Sequence, residues 1–438
     1  MLQHSQAVFI GCTDCALVQR LPPLAGGSMA ECVRCGHGLV RSDGGGADVS
    51  LAFTLAALLL LLPAVFFPLM SLICFGVRRQ NLLPTGVEAL WGHGFDSLAV
   101  VIFMFSIAIP LAYLGLMVWV LGALRLRAPP ALGRLFRWAG ELRPWAMLEV
   151  YLVGCCVAYT RLQDIGTVRV NVGGWCLIGA TLSALLAGMS LNEHAVWHRL
   201  PWRTAPAPER RSPVDDGTGD NPGIGARTLS CGACDLLLHT LDERGRCPRC
   251  GARVHRRKPD ALARTLALVL AGFVLYLPAN MLPVLSVERF GHDEPNTILS
   301  GVRELISLGM WPLAAIVFTA SILVPLMKLF GLSLMLALTR QHSRRWLIGR
   351  TRLYRFIDFI GRWSSIDLFM ISILVALVQF GALTQVRPES GAVAFAAVVI
   401  VTMFASRCFD PRVMWDAAAI TPSSATSMAA AGVAGGSS

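Results

Sequence analysis

The chain has 438 residues, of which 55% are hydrophobic and only 15% are charged. This composition excludes an ordinary water-soluble protein of two or three domains and predicts a membrane protein. The formal net charge is +11, but the arginines are concentrated in particular loops between hydrophobic segments, a distribution that indicates membrane orientation rather than binding to nucleic acid.

The same unit occurs twice along the chain. Cys32 recurs as Cys247 at an offset of 215 residues (32 to 247), and beyond a short insertion Glu149 aligns with Asp367 at an offset of 218 (149 to 367). Each copy has a paired CxxC module followed by four hydrophobic segments. The sequence therefore predicts an all-α polytopic membrane protein, a tandem duplication of a four-helix transmembrane unit with eight spans, each unit preceded by a small metal-binding domain.

Residues 1–49 are predicted to form the first zinc ribbon. Its four cysteines are Cys12, Cys15, Cys32 and Cys35. Two CxxC pairs at this separation can place four thiolates around one tetrahedral ion, with zinc expected and iron as the alternative. A closed four-cysteine site mainly stabilises a domain that has too little core, and a redox or regulatory role of the thiols is the other interpretation.

Residues 50–198 are predicted to form the first transmembrane unit, with its first span over 51–75. Pro63 and Pro68 in this span and Pro110 in the next are expected to kink the helices, because proline removes a backbone donor. Five arginines follow the second span: Arg125, Arg127, Arg134, Arg137 and Arg143. This loop is therefore expected to lie in the cytoplasm.

The second half of the chain repeats the plan of the first. After a linker at 199–227, rich in Pro, Arg and Gly and expected to be flexible, the second ribbon is predicted at 228–258. Its cysteines are Cys231, Cys234, Cys247 and Cys250. The second transmembrane unit is predicted at 259–415, with its seventh span over 366–386 and helix kinks at Pro278, Pro283 and Pro325. A second arginine-rich loop places both termini and both ribbons in the cytoplasm, and the tail at 416–438 is expected to be disordered.

Polar residues within the spans of the second unit are candidates for a transport network. They are Ser321, Lys328, Ser364, Asp367 and Thr402. Ionisable residues inside a bilayer usually face a cavity or one another, so Lys328 and Asp367 are expected to be partners. The alternative is that Asp367 caps its helix while Lys328 extends towards the headgroups.

The first copy differs from the second at these positions. Glu149 corresponds to Asp367 and could take part, but Tyr113 replaces the lysine, which suggests that one half alone keeps a charged pathway. Asn280 is a further candidate, although its amide could simply satisfy carbonyls that the neighbouring prolines free.

The paired CxxC modules, the segment LPANMLPVLS from Leu277 to Ser286 and the duplicated four-span unit resemble the paraquat-inducible protein A family, which includes LetA-type proteins. The resemblance implies tetraspanin-like units in a bacterial inner membrane. It also implies phospholipid transport together with a periplasmic mammalian-cell-entry (MCE) domain protein, whose tunnel would carry the lipid.

Two functions remain open from the sequence. The first is an intermembrane lipid transporter subunit in which protonation or rearrangement of the Lys328 and Asp367 pair drives lipid exchange. Because no GxxxxGK[ST] phosphate loop is present, the energy is expected to come from a proton gradient, from a partner or from lipid flow itself. The second is a membrane-anchored zinc or redox sensor that acts through its CxxC ribbons. Nucleic-acid binding is disfavoured because no aromatic stacking platform accompanies the arginines. Catalysis is not expected, since the histidines are scattered without a nucleophile.

Overall fold

The computed structural model describes residues 9–21, 28–41, 46–74, 76–126, 129, 131–163, 166–200, 228–239, 245–289, 292–379 and 384–419. Most of the linker expected at 199–227 and of the tail expected at 416–438 lies outside these residues. The described part of the tail is helical, because the last helix extends to Ala419.

Among the described residues, eight helical segments are long and apolar enough to cross a membrane, as predicted. They are Ala47–Phe66, Asp96–Ala123, Leu132–Leu162, Val172–Ser190, Ala261–Met281, Trp311–Arg340, Leu347–Leu377 and Ser390–Cys408. Four belong to each copy of the repeat, so the chain is a multi-pass membrane protein with two four-helix units.

The first unit is built from eight helices. They are α1 (Ala47–Phe66), α2 (Thr85–Gly92), α3 (Asp96–Phe103), α4 (Ile109–Ala123), α5 (Leu132–Leu142), α6 (Leu148–Leu162), α7 (Val172–Ser190) and α8 (Glu193–Arg199). The second unit has the matching set. Its helices are α9 (Ala261–Met281), α10 (Ile298–Ser307), α11 (Trp311–Phe318), α12 (Val324–Arg340), α13 (Leu347–Ile360), α14 (Ile366–Leu377), α15 (Ser390–Cys408) and α16 (Arg412–Ala419).

Short strands complete the fold. In the ribbons they are β1 (Phe9–Gly11), β2 (Val18–Arg20), β3 (Met29–Glu31), β4 (Gly38–Arg41), β8 (Thr228–Ser230) and β9 (Leu237–His239). In the membrane units they are β5 (Met70–Cys74), β6 (Val77–Asn81), β7 (Thr167–Val170), β10 (Leu285–Arg289), β11 (His292–Asn296) and β12 (Thr384–Pro388). The latter form one antiparallel three-stranded sheet per unit, in the orders β6-β5-β7 and β11-β10-β12.

These two sheets were not predicted, and they correct two of the expected spans. The helix expected over 51–75 ends at Phe66, and the segment expected to be helical up to residue 386 ends in β12. Leu72 pairs with both Arg79 and Val168, so each central strand of a sheet forms hydrogen bonds on both edges. In the sequence, an apolar strand such as MSLIC looks like the last turn of a helix, because hydrophobic periodicity cannot distinguish a short buried strand from a short buried helical segment.

Pro68 and Pro283 therefore do not kink helices, contrary to expectation. The residue before each proline is extended, with Phe67 at φ −103° and ψ 150°, as proline requires of its predecessor. Each proline carbonyl instead accepts a hydrogen bond from the start of the unit's last membrane-spanning helix, α7 or α15, from Gly173 N to Pro68 O at 3.1 Å and from Gly391 N to Pro283 O at 3.0 Å. Pro63 and Pro278 do lie inside α1 and α9.

The remaining two prolines follow a wider helical turn. Residues Met104–Ala108 and Thr319–Leu323 form π-helical turns directly before α4 and α12. Pro110 and Pro325 have no N–H to donate to the carbonyls four residues earlier, which belong to Ser106 and Ser321. The extra residue in each π-helical turn lets the helix continue past the hydrogen bond that the proline cannot make. Such turns are frequent at functional sites.

The ribbons dock in a crossed arrangement, each against the membrane unit of the other copy. Arg355 on α13 of the second unit donates to the Cys35 carbonyl of the first ribbon at 3.2 Å. Its counterpart Arg137 on α5 donates to the Cys250 carbonyl of the second ribbon at 3.3 Å. We call the face that carries the ribbons and the arginine-rich loops the ribbon face, and the opposite one the sheet face.

The two units share one continuous apolar core. Tyr151 on α6 and Phe369 on α14 contact edge to face with ring centroids 5.2 Å apart. A Cβ added at Gly154 would lie 3.1 Å from the Phe369 side chain, so the glycine permits close approach of these helices. This central seam brings residues of the first unit beside the polar residues of the second.

Candidate metal centres and a polar membrane cavity

Two clusters of four buried cysteines occupy the ribbons, as predicted. They are Cys12, Cys15, Cys32 and Cys35, and Cys231, Cys234, Cys247 and Cys250. Within each cluster the sulfur atoms lie within 4.8 Å of one another. The Sγ atoms of Cys12 and Cys35 are 3.5 Å apart, as are those of Cys231 and Cys250.

These distances fit one tetrahedral metal ion per cluster. A Zn–S bond of roughly 2.3 Å places the four sulfurs of a tetrahedron about 3.8 Å apart. A disulfide would need its sulfurs at about 2.05 Å. When bound, such an ion would be held by four thiolates with no open coordination position, so it would supply structural cross-linking rather than a site for substrate.

The local sequence explains how each thiolate pair is formed. The residue after the second cysteine of every CxxC pair has positive φ, namely Ala16, Gly36, Asp235 and Gly251. A backbone bond from that residue to the first cysteine carbonyl closes the turn, as for Gly36 N to Cys32 O at 2.8 Å. Glycine adopts this conformation without strain, which accounts for CGH and CGA in the second knuckles.

A charged cluster fixes the first ribbon to the second unit. The Asp14 carboxylate accepts from Arg355 Nε at 2.6 Å and lies 3.1 Å from His37 Nδ1. Burial raises the pKa of Asp14, but the hydrogen bonds and charges of His37 and Arg355 outweigh it and leave the pKa below its ordinary value. The hydrogen bond to Asp14 raises the pKa of His37 against the opposing effect of burial.

Lys328 is the centre of one buried polar cluster in the second unit. Its side chain is 0% exposed, and Nζ donates to the Gly361 carbonyl at 2.7 Å, to Ser364 Oγ at 3.1 Å and to Thr402 Oγ1 at 3.4 Å. These partners come from the turn before α14 and from α15. A buried ammonium with three acceptors has its donors satisfied, so Lys328 does not extend to the headgroups.

Asp367 is the centre of a second cluster, at the π-helical turn. Ser321 Oγ donates to Asp367 Oδ2 and also contacts the Val317 carbonyl at 2.7 Å. Asp367 is 4% exposed, and its other oxygen, Oδ1, is buried without a hydrogen-bond partner among the described residues. This unsatisfied acceptor is costly unless a further donor approaches it.

The five proposed network residues thus fall into two groups. Within the described part of the chain Lys328 and Asp367 do not form an ion pair with each other, contrary to expectation: Lys328 donates to Gly361, Ser364 and Thr402, and Asp367 accepts from Ser321. The physical reason is that the lysine extends towards the Gly361 carbonyl, in the turn before α14. Asp367 lies in the first turn of α14 and faces Ser321 and a cavity. Ser364 and Asp367 are only three residues apart, so the two groups remain neighbours.

The cavity has a volume of about 170 Å³ and opens beside the sheet of the second unit. Most of its lining is apolar and comes from α10, α14 and β10, as with Leu305, Leu374 and Leu285. Its charged lining residues are Arg161, Glu304 and Asp367. Arg161 belongs to α6 of the first unit, so the site is assembled from both copies.

The remaining candidates have local roles. Glu149 pairs with Arg362 of the other unit at 3.3 Å, so it lies in the seam. Ser106, the counterpart of Ser321, donates to the Ile102 carbonyl at 2.7 Å. Asn280 Nδ2 donates to the Tyr276 carbonyl of its own helix at 2.9 Å.

The chain is similar to known proteins over most of its length. The family described as Paraquat-inducible protein A matches residues 48–201 and 262–419. The Intermembrane transport protein PqiA of Escherichia coli strain K12 is 34% identical over 417 residues, covering 94% of this chain and 97% of the relative. The chain belongs to the Paraquat-inducible protein A family.

Two other relatives also align over more than nine tenths of this chain. The Lipophilic envelope-spanning tunnel protein A of Escherichia coli strain K12 is 30% identical over 414 residues, covering 93% of this chain and 91% of the relative. A probable intermembrane transport protein of Haemophilus influenzae is 27% identical over 416 residues, covering 92% of this chain and 95% of the relative. No solved structure matches the chain.

Sequence reasoning missed two charged residues of the cavity in this family member. Neither Arg161 nor Glu304 is among the candidate site residues that the sequence predicts. The sequence does contain an indication: Arg161 follows Thr160 at the end of an apolar helix, where a side chain points back towards the helix N-terminus and so into the membrane.

Proposed function

We propose that the protein is an inner-membrane subunit of an intermembrane lipid transport system that moves phospholipid between the membrane and a periplasmic MCE-domain protein. The observation that carries this proposal is the cavity, whose apolar lining suits acyl chains and whose few charged groups suit a lipid headgroup. The printed names of the relatives, intermembrane transport protein and envelope-spanning tunnel protein, support the same reading.

The orientation in this proposal follows from charge. The ribbon face carries the arginine-rich helices α5 and α13, which contain Arg137 and Arg355, and is assigned to the cytoplasm, with both termini. The sheet face, beside which the cavity opens, is then assigned to the periplasm, where an MCE-type tunnel could receive lipid. The buried Lys328 cluster and Asp367 cluster lie between the two faces and are proposed to change their hydrogen bonds as lipid enters or leaves.

The ribbons are proposed to bind one Zn²⁺ each in a structural role. Support comes from the four buried sulfurs per cluster and from the absence of a free coordination position in a four-thiolate site. Their crossed docking gives such ions a mechanical function, because each ribbon connects the two membrane units. Measurement of bound zinc after purification, with a cysteine-to-serine variant of each cluster, would test the identity and number of the ions.

Occupancy of the cavity is the direct test of lipid handling. Leu308 lines the cavity mouth and is 59% exposed, so Leu308→Trp should narrow the mouth without overpacking the core. Leu270 is 56% exposed on α9 and lies outside the cavity, which makes Leu270→Trp the matched control. We expect phospholipid retained through extensive detergent washing, measured by mass spectrometry, to fall in Leu308→Trp alone.

Equal retention in both tryptophan variants and the unaltered protein would refute the lipid site. The partner is tested separately, by mild-detergent purification from native membranes. We expect an MCE-domain protein to co-purify in stoichiometric amount, whereas recovery of the chain alone with zinc would contradict the proposed assembly and favour the sensor reading.

A further inference from the structure

The charged groups of the cavity retain two buried polar atoms without a hydrogen-bond partner among the described residues, Arg161 Nε and Asp367 Oδ1. Arg161 reaches the cavity from the first unit, and one of its guanidinium nitrogens lies 3.5 Å from the position that a Cβ would occupy at Gly301. Its Nε is buried without a hydrogen-bond partner among the described residues. Asp367 and Glu304 line the same cavity from α14 and α10.

The guanidinium has the chemistry of a phosphate ligand. Arginine presents its N–H donors in a planar fork that matches two phosphate oxygens at once. A buried donor of a charged group that lacks an acceptor is unfavourable, so an anion that brought several oxygens would be bound strongly. The absence of a side chain at Gly301 leaves room beside the guanidinium for such a group.

The carboxylate has the opposite requirement. Asp367 already uses Oδ2 to accept from Ser321, whereas Oδ1 is buried and has no partner among the described residues. An ionised carboxylate can only accept hydrogen bonds, so its ligand must bring an N–H or O–H donor. Glu304, which is exposed at the rim, offers a second carboxylate to the same donor.

Taken with the proposed lipid transport, on which this inference rests, these groups specify a head group. We infer that the cavity selects phospholipids that carry both a phosphate and a primary ammonium, with Arg161 binding the phosphate and Asp367 with Glu304 binding the ammonium. The phosphate brings acceptors for the Arg161 guanidinium and the ammonium brings donors for the Asp367 carboxylate, so a zwitterion compensates both of these buried charges, while Glu304 stays exposed to solvent. A trimethylated ammonium has no N–H to donate, and a glycerol head group brings no positive charge to two carboxylates.

The test uses the full-length protein reconstituted in nanodiscs with equal amounts of phosphatidylethanolamine and phosphatidylglycerol, then washed in detergent. Retained lipids are quantified by mass spectrometry for the unaltered protein, Arg161→Gln and Asp367→Asn. Arg169→Gln is the matched control, because Arg169 lies nearby on β7 of the same unit but outside the cavity lining. A second series replaces phosphatidylethanolamine by phosphatidylcholine.

We expect phosphatidylethanolamine to be enriched over phosphatidylglycerol in the unaltered protein and in Arg169→Gln. Asp367→Asn should lower this enrichment roughly tenfold, the effect of one hydrogen bond to a charged group, while total phospholipid is kept. Arg161→Gln should lower retention of both lipids. Phosphatidylcholine should be retained no better than phosphatidylglycerol.

Two results would overturn the head-group assignment. One is enrichment that is the same in all variants, and the other is preferred retention of phosphatidylglycerol or phosphatidylcholine. Either result, obtained while Leu308→Trp still removes bound phospholipid, would leave the proposed transport function standing. If Leu308→Trp has no effect on retention, the lipid site itself is wrong and the head-group assignment is wrong with it.

Discussion

Arg355 provides the sharpest test of the crossed ribbons. Its guanidinium donates to Asp14 Oδ2 at 2.6 Å, to the Cys35 carbonyl at 3.2 Å and to the Gly36 carbonyl at 3.3 Å. It belongs to the second membrane unit, yet every one of these acceptors belongs to the first ribbon. Arg355→Leu should therefore loosen a ribbon that lies more than 300 residues away in sequence.

The magnitude follows from the bonds that are lost. A hydrogen bond to a charged group contributes about 1.5–3 kcal/mol, and the side chain of Arg355 is 29% exposed, so we expect the lower part of that range, about 2 kcal/mol. Local opening of the first ribbon should then become roughly 30-fold more frequent. Asp14, left in a buried position without the arginine, adds to the effect.

The assay is site-resolved alkylation of cysteines in the purified, metal-loaded protein, read by mass spectrometry. We expect faster labelling of Cys12 and Cys35 and unchanged labelling of Cys247 in Arg355→Leu. Arg352→Leu is the control, since Arg352 is exposed on the same helix. The reasoning would be refuted by unchanged labelling in Arg355→Leu, or by equal acceleration in both ribbons.

Three further predictions concern other contacts. A Cβ at Gly133 would lie 2.3 Å from the Arg249 carbonyl, so Gly133→Ala should expose the second ribbon to alkylation and leave the first protected. Burial lowers the pKa of His194 and of His198, so near and below pH 6.5 the unfolded chain binds more protons than the folded one. Thermal stability should therefore fall as the pH drops below about 6.5. His194→Gln should reduce this pH dependence of the melting temperature. Lys328→Met should leave the melting temperature unchanged, because Ser364 and Thr402 retain hydrogen bonds to carbonyls of their own segments. It should nevertheless abolish complementation of an envelope-barrier defect. If the variant fails to fold, the lysine has a structural role instead.

The elements that the sequence predicts well depend on local chemistry. CPRCG specifies a thiolate knuckle through its own spacing and glycine, and the structure gathers the four cysteines of each ribbon as expected. The helical spans follow from hydrophobic length. Pro110 and Pro325 indicated an interruption of their helices, but the π-helical turns that result depend on how the flanking segments pack.

The features that escaped prediction depend on long-range packing. Whether a ribbon docks on its own unit or on the other one is not encoded in the spacing of CxxC pairs, and Arg137 and Arg355 look like ordinary basic residues of a cytoplasmic loop. The pairing of Lys328 with Asp367 was inferred from charge alone. In the structure the buried Gly361 carbonyl, at the start of the 3₁₀ turn before α14, accepts from Lys328 Nζ at 2.7 Å.

One pair of equivalent glycines shows that the two copies pack differently: the short helix α2 lies closer to the other unit than α10 does. Gly86 on α2 and Gly301 on α10 are equivalent in the repeat. A Cβ at Gly86 would lie 2.1 Å from Ser372 Oγ, whereas one at Gly301 would meet only an Arg161 nitrogen, at 3.5 Å. The first copy's short helix is thus pressed against α14, while that of the second copy stands away from α6. Gly301 lines the cavity, so the two copies of the repeat differ in how closely this short helix packs against the other unit, and the looser of the two contacts borders the cavity.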